Sequence, residues 1–165
     1  MPNDIEDVAR KLKGDFPLYA KNILKIITKE GAVQPFILNA GQRAIHKQLE
    51  DQLKEQGRIR ALVLKARQVG ISTYVEGRFF WRITQNRNAN AFVLSHLAES
   101  TNSIFNMVRH FYDNIPHPAF KPPISSQSAQ TLVFDKLNSR YRVGTARSTQ
   151  TGRGQTNRFV HGSEV

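Results

Sequence analysis

Residues 65 to 73 read Lys-Ala-Arg-Gln-Val-Gly-Ile-Ser-Thr, a run whose residue types and spacing can hold phosphate. A phosphate-binding loop follows G-x-x-x-x-G-K-S/T between a strand and a helix. Gly70 takes the second glycine and Ser72 the hydroxyl position, with Thr73 after it. Lys65 stands at the first glycine and Ile71 at the lysine. One amine is absent from its usual place and another stands at the opposite lip of the loop. Backbone N–H groups and the positive end of the next helix do most of the phosphate holding, and neither needs a given side chain at 71. A lysine entering from the strand end can cross the loop mouth to the β and γ oxygens. Arg67 adds planar donors that match phosphate, and the Ser72 hydroxyl suits Mg²⁺. The predicted binding segment is therefore Lys65, Ala66, Arg67, Gln68, Val69, Gly70, Ile71, Ser72 and Thr73. Gly70 also fits an ordinary strand-to-helix turn that needs glycine's dihedral freedom; the flanking elements favour the phosphate loop.

Other residues carry weaker chemistry. Asn39 and Gln42 are spaced as a helix capping box. Arg153 lies between Gly152 and Gly154 in a Ser/Thr/Gly/Arg-rich stretch. A guanidinium there can stabilise charge developing on a transferred phosphate, contact a nucleic-acid backbone, or sit solvated in a turn. His46, His96, His110, His117 and His161 show no metal-ligand spacing and read as ordinary surface or core residues. Cysteine is absent, which excludes disulfides, thiolate-held metals and thiol catalysis.

Elements must position these groups. Ile5, Val8 and Leu12 share one helical face. Phe16, Ala20, Ile23 and Ile27 share another beyond a break at Gly14. Asn39 caps an expected helix over 40–56 that Gly57 ends. Arg60–Lys65 reads as a buried strand, followed by a helix from Ile71 to Thr84 on which Trp81 packs. Ala91–Ser95 is a second buried strand, and the next helix has Ile104, Val108, Phe111 and Ile115 inside. Prolines 116, 118, 122 and 123 form a loop. Thr131–Phe134 and Arg140–Val143 form a hairpin, residues 147–156 a mobile connector, and Phe159–Val165 a last strand. Strands alternating with helices predict an α/β sheet.

The chain has 165 residues and a formal net charge of +11. Residues 1–57 carry 9 basic and 8 acidic side chains, and residues 58–165 carry 15 and 5, so +10 falls on the later part. Such a field favours a polyanion. No apolar run reaches the length of a membrane span, and the charged N-terminus lacks a secretory leader, so a cytosolic protein is expected.

In the order of these motifs, residues 34–165 resemble the ATPase motor of large terminase subunits of tailed bacteriophages, which package viral DNA. Their loops often carry Arg-Gln before the glycine, and a subset has the lysine at the loop's start. The resemblance implies a P-loop NTPase core of the ASCE/RecA-like type, with helices flanking a mainly parallel sheet. Residues 1–33 would form a helical arm or subdomain. It implies ATP and Mg²⁺ as cofactors, with double-stranded DNA as substrate. A small terminase subunit, a portal protein and a ring of like subunits are the implied partners, without a membrane, in the cytoplasm of a bacterial host. Gln42 would read the adenine edge with its amide, a role that competes with helix capping. Arg67, Arg153 and Glu164 would act catalytically. Glu164 matches the carboxylate that orients the attacking water, and Ser163 stands where the Mg²⁺-organising aspartate is usual. Ser72 and Ser163 would serve the metal, Ser163 indirectly.

The acidic residues after 57 (Glu76, Glu99, Asp113, Asp135 and Glu164) look scattered and unpaired, so a nuclease is not expected. In this class the strand after Glu164's strand inserts beside the phosphate-loop strand. A gap in the sheet, or altered pairing, is therefore expected, and the chain reads as a fragment with weak or no turnover of its own. The alternatives are a non-enzymatic basic nucleic-acid-binding module and a helicase-like ATPase on the same core.

Overall fold

The computed structural model describes residues 2–64, 69–146 and 156–163. Helix α1 spans Pro2–Gly14 and α2 spans Phe16–Ile23. Asp15 caps α2, accepting from Leu18 N at 2.8 Å. The second helix was expected to reach Ile27, but it stops at Ile23, and Lys25–Ile27 forms strand β1. The β-branched run Ile26-Ile27-Thr28 prefers extended backbone. Gly31, at φ +82°, turns the chain into β2, Val33–Pro35, which pairs antiparallel with β1.

Helix α3 spans Ala40–Gln56, with Asn39 at its N-cap and Gly57 left-handed at its end, as the spacing predicts. The next expectation fails. Arg60–Leu64, the described part of the predicted buried strand, is neither strand nor buried: Leu62 is 91% and Leu64 93% exposed. A strand needs a hydrogen-bonded neighbour, and the sheet described below leaves this run without one.

Helix α4 spans Ile71–Gln85, β3 Asn90–Ser95 and α5 Ala98–Asp113. The hairpin strands are β5, Thr131–Phe134, and β6, Ser139–Thr145. A short β4, Ser126–Ser128, precedes them, and Phe159–Ser163 is β7. The five-stranded sheet runs β4-β5-β6-β3-β7. β3 is parallel to both β6 and β7, while β4-β5 and β5-β6 are antiparallel. The expected mainly parallel sheet is thus a mixed one, because two short turns supply two antiparallel pairs.

One core joins the helices to the sheet. Phe16, Tyr19 and Ile23 of α2, Tyr74, Phe80 and Ile83 of α4, and Phe105, Val108 and Phe111 of α5 pack with Val93, Leu132, Phe134, Tyr141 and Val143. Trp81 is buried and donates to Leu12 O at 2.9 Å, so it packs as the sequence predicts. Gly77 admits a close approach: a Cβ there would lie 3.1 Å from Phe36 Cε1.

Candidate functional site

The head of α4 is built from the loop inward. Gly70, at φ +73°, is its N-cap and, as glycine, brings no side-chain cap to the first turn. The first N–H groups of such a helix have no intrahelical partner and carry the positive end of the dipole. Two residues of the preceding segment hold the loop from behind. Gln42 Nε2 donates to Gly70 O at 2.8 Å, and Asn39 Nδ2 to Val69 O at 3.4 Å. The left-handed dihedral favours glycine there, and a Cβ on residue 70 would meet Gln42 Nε2 at 2.9 Å and displace that amide.

The capping box is also present: Asn39 N donates to Gln42 Oε1 and Gln42 N to Asn39 Oδ1, both at 2.9 Å. Gln42 is buried, and its amide serves the cap and the loop at once. Ile71, where a lysine is usual, is 6% exposed and belongs to the interior, so no cation stands there. Ser72 and Thr73 are half-buried in the first turn. Lys65, Ala66, Arg67, Gln68, Arg153 and Glu164 lie outside the described residues.

The direction of α4 follows from its contacts. Phe79 meets the rings of Phe159 and His161 at 5.6 and 6.3 Å, and Glu76, one turn earlier, meets His161. Asn86, just past the helix, accepts from Ser139 Oγ at the start of β6. Helix α4 therefore runs antiparallel to β6 and β7. Its N-terminal turn lies toward the end of the sheet where β7 closes at Ser163, which is 9% exposed. Open α/β sheets place ligands at the carboxyl ends of their strands. Hydroxyl oxygens such as those of Ser72 and Ser163 are hard donors that fit Mg²⁺. Among the described residues, no group of three His, Asp or Glu side chains gathers as a metal site.

Two polar networks in the interior were not anticipated. Between α3 and α4, Arg78 pairs with Glu50 at 2.6 Å, and His46 Nδ1 lies 3.0 Å from Tyr74 Oη. Burial, then the Arg78 charge, lowers the His46 pKa. Burial alone would raise that of Glu50, but the Arg78 hydrogen bond and charge outweigh it and lower it. Beneath the sheet, Glu76 is fully buried and accepts from Tyr141 Oη and from His161 Nδ1, the latter at 2.7 Å. Glu76 is thus not unpaired, and His161 is a half-buried histidine held by it. The signal was present in the sequence: Glu76 shares a helical stripe with Phe80 and Ile83, a carboxylate on an apolar face.

Among the described residues, no helix is long and apolar enough to cross a membrane. No known family's sequence profile matches the chain, and no curated protein matches it in sequence. Among solved structures, the HK97 bacteriophage large terminase matches with a TM-score of 0.69 and 14% identity over 88% of this chain. The chain spans 29% of that protein's length. At such identity the likeness shows the fold alone: this chain has a terminase-like α/β fold.

Proposed function

We propose that the chain is the nucleotide-binding part of a terminase-type ATPase that binds Mg·ATP and drives double-stranded DNA into a procapsid. The observation that carries this reading is the Gly70 turn, fixed by Asn39 and Gln42 at the head of α4 within a terminase-like fold. Phosphates would rest on the first-turn N–H groups, with Lys65 and Arg67 as the cations and Gln42's remaining amide positions on adenine. Ser72 and Ser163 would hold Mg²⁺, which would supply charge neutralisation on the phosphates. Glu164 would orient the water. Arg153 would answer charge on the γ-phosphate, supplied in cis or by a neighbouring subunit of a ring. A small terminase subunit and a portal protein are the partners in this reading, in the cytoplasm of a bacterial host.

Titration with Mg·ATP tests it. Two unit charges at about 4 Å interact by roughly 4 kcal/mol at an effective dielectric of 20, before desolvation. Lys65→Ala is therefore expected to weaken binding severalfold or more. An unchanged dissociation constant removes Lys65 from the site, and no saturable binding by the wild type removes the ATPase reading. In the assembled enzyme, Arg153→Ala is expected to lower kcat with ATP affinity kept.

A second reading, a basic nucleic-acid-binding module without catalysis, draws on a different observation. Arg140 and Arg142 flank an open cavity of about 340 Å³ with Ser126, Ser128 and Thr131, and neither guanidinium pairs with a described carboxylate. This reading expects salt-sensitive DNA binding that survives Lys65→Ala, with no nucleotide binding.

A further inference from the structure

Glu76 lies fully buried on α4, the helix that opens at the phosphate loop, and touches strands on both sides of β3. The register sets Tyr141 beside Ala91 and His161 beside Val93. The carboxylate thus links β6 to β7 across the strand between them. Burial first, then the Glu76 charge, holds the Tyr141 pKa well above its ordinary value, so its phenol keeps its proton and donates. A carboxylate accepts only, so His161 also donates, from Nδ1. Apolar side chains would fill this space at lower cost than a buried carboxylate. What the carboxylate adds is direction, since two hydrogen bonds fix how α4 lies over the sheet. Among the described residues, His161 makes the one side-chain hydrogen bond between β7 and a helix. Among the described residues, β7 pairs with β3 alone.

We propose that Glu76 is a positioning residue that holds His161, and so the carboxyl end of β7, in fixed relation to the phosphate loop. The residue after β7 is Glu164. On the ATPase reading, on which this inference rests, the clamp keeps β7 fixed against the head of α4, where phosphate would bind. Small errors in such placement lower turnover without altering ground-state binding.

Three variants test it, with hydrogen exchange at residues 160–163, the Kd for Mg·ATP, and kcat of the assembled enzyme as readouts. Glu76→Leu keeps volume and removes both acceptors. His161→Phe keeps an aromatic ring beside Phe79 and removes only the β7 tie. Both are expected to speed exchange in β7 about tenfold and to lower kcat about tenfold, with Kd within about twofold. Glu76→Gln is expected to stay near wild type. Its oxygen can accept from Tyr141 and its amide can donate to Nδ1 once the imidazole changes tautomer. The clamp is overturned by wild-type exchange and kcat in both Glu76→Leu and His161→Phe, by Kd and kcat falling together, or by Glu76→Gln failing as Glu76→Leu does. If Glu76→Leu does not fold, His161→Phe decides. A wild type that binds no Mg·ATP defeats the ATPase reading and the clamp's catalytic purpose. Exchange at β7 then still decides whether the clamp exists.

Discussion

At one margin of the sheet, β4 is three exposed residues, Ser-Gln-Ser, backed by the fully buried Leu132 and Phe134 of β5. At the other, β7 presents Val160, 64% exposed, and apart from the sheet the apolar run after α3 leaves Leu62 and Leu64 in solvent. Short, polar edge strands discourage further pairing, while exposed apolar strand formers invite it. The first margin fits an edge, whereas Val160 and the run after α3 are exposed apolar chain. Buried and exposed apolar residues therefore differ in what they stabilise. Phe134→Ala is expected to cost about 3 to 5 kcal/mol, the range for deleting a buried aromatic ring. The double substitution Leu62→Ser/Leu64→Ser is expected to change stability by less than about 0.5 kcal/mol while reducing self-association. Urea denaturation with light scattering measures both. A comparable loss in the double variant would mean that residues 61–64 are packed, and the contrast with Phe134 would vanish.

The helical side differs again, because it is held by charge as well as by apolar packing. Arg78 is 5% exposed, and its carboxylate partner Glu50 is more open. Removing that carboxylate leaves a buried guanidinium whose hydrogen-bond partners among the described residues are His46 and Tyr74, with the Trp81 ring 6.0 Å away. Glu50→Ala is expected to cost about 2 kcal/mol, as for a hydrogen bond to a charged group. Arg78→Met is expected to cost less than stranding the guanidinium does, because it removes the charge that needs a partner. If Glu50→Ala is neutral in denaturation, water reaches Arg78 and this side is no firmer than the open margin.

What the sequence disclosed follows the reach of each signal. Local signals were legible: Asn39 and Gly57 bounded α3, Gly70 opened α4, the four-residue stripe gave α4 to within a residue, and the next stripe marked α5 without its start and with Ile115 beyond its end. Arg60–Leu64 was misread because an apolar run states a preference, whereas a strand also needs a neighbour, which no local pattern encodes. The same holds for Glu76. Its stripe marks it as buried, but its partners stand 65 and 85 residues away, on strands whose register only the folded sheet defines. Half of the candidate site was readable for the same reason. Asn39, Gln42 and Gly70 announce a cap and a turn, but not that the amide of Gln42 reaches the Gly70 carbonyl 28 residues later.

Acid and base separate the two polar networks. Protonation of His46 favours the unfolded chain, since its folded pKa is lowered. Stability is therefore level above the ordinary imidazole value of about 6.5 and falls as pH drops below it. Tyr141 has the opposite sign. Its pKa is raised, so its contribution is intact below about pH 10 and is lost as pH rises beyond, when the unfolded chain ionises first. His46→Gln is expected to flatten the limb between pH 5 and 7, and Tyr141→Phe to reduce the limb above 10 without abolishing it, since the Tyr19, Tyr74 and Tyr112 pKa values are raised as well, in thermal melts across pH. Limbs unchanged by these variants would assign the pH dependence to other groups.

Gln42 is informative because the residue does two things. As the third residue of α3 it closes the capping box, which an acceptor alone can do, and as a donor it holds Gly70 O. Glutamate keeps the first role and gains from the helix dipole, but it cannot donate to the carbonyl. Gln42→Glu is expected to cost more than the dipole returns, because a buried carboxylate oxygen would face Gly70 O without a proton between them, and Gln42→Ala loses about 1 kcal/mol of capping. Nucleotide binding then distinguishes the roles. A primary amide has two N–H donors and two acceptor sites, so one of each remains when the cap and Gly70 are served. If those remaining groups read adenine, Gln42→Glu removes the preference for ATP over GTP beyond any loss common to both nucleotides. If Gln42 serves only the cap and the loop, ATP and GTP weaken by the same factor. Competition binding with the two nucleotides on one preparation gives the ratio directly. The expected result is a collapsed ratio, and parallel weakening would leave Gln42 as a support of the Gly70 turn and nothing more.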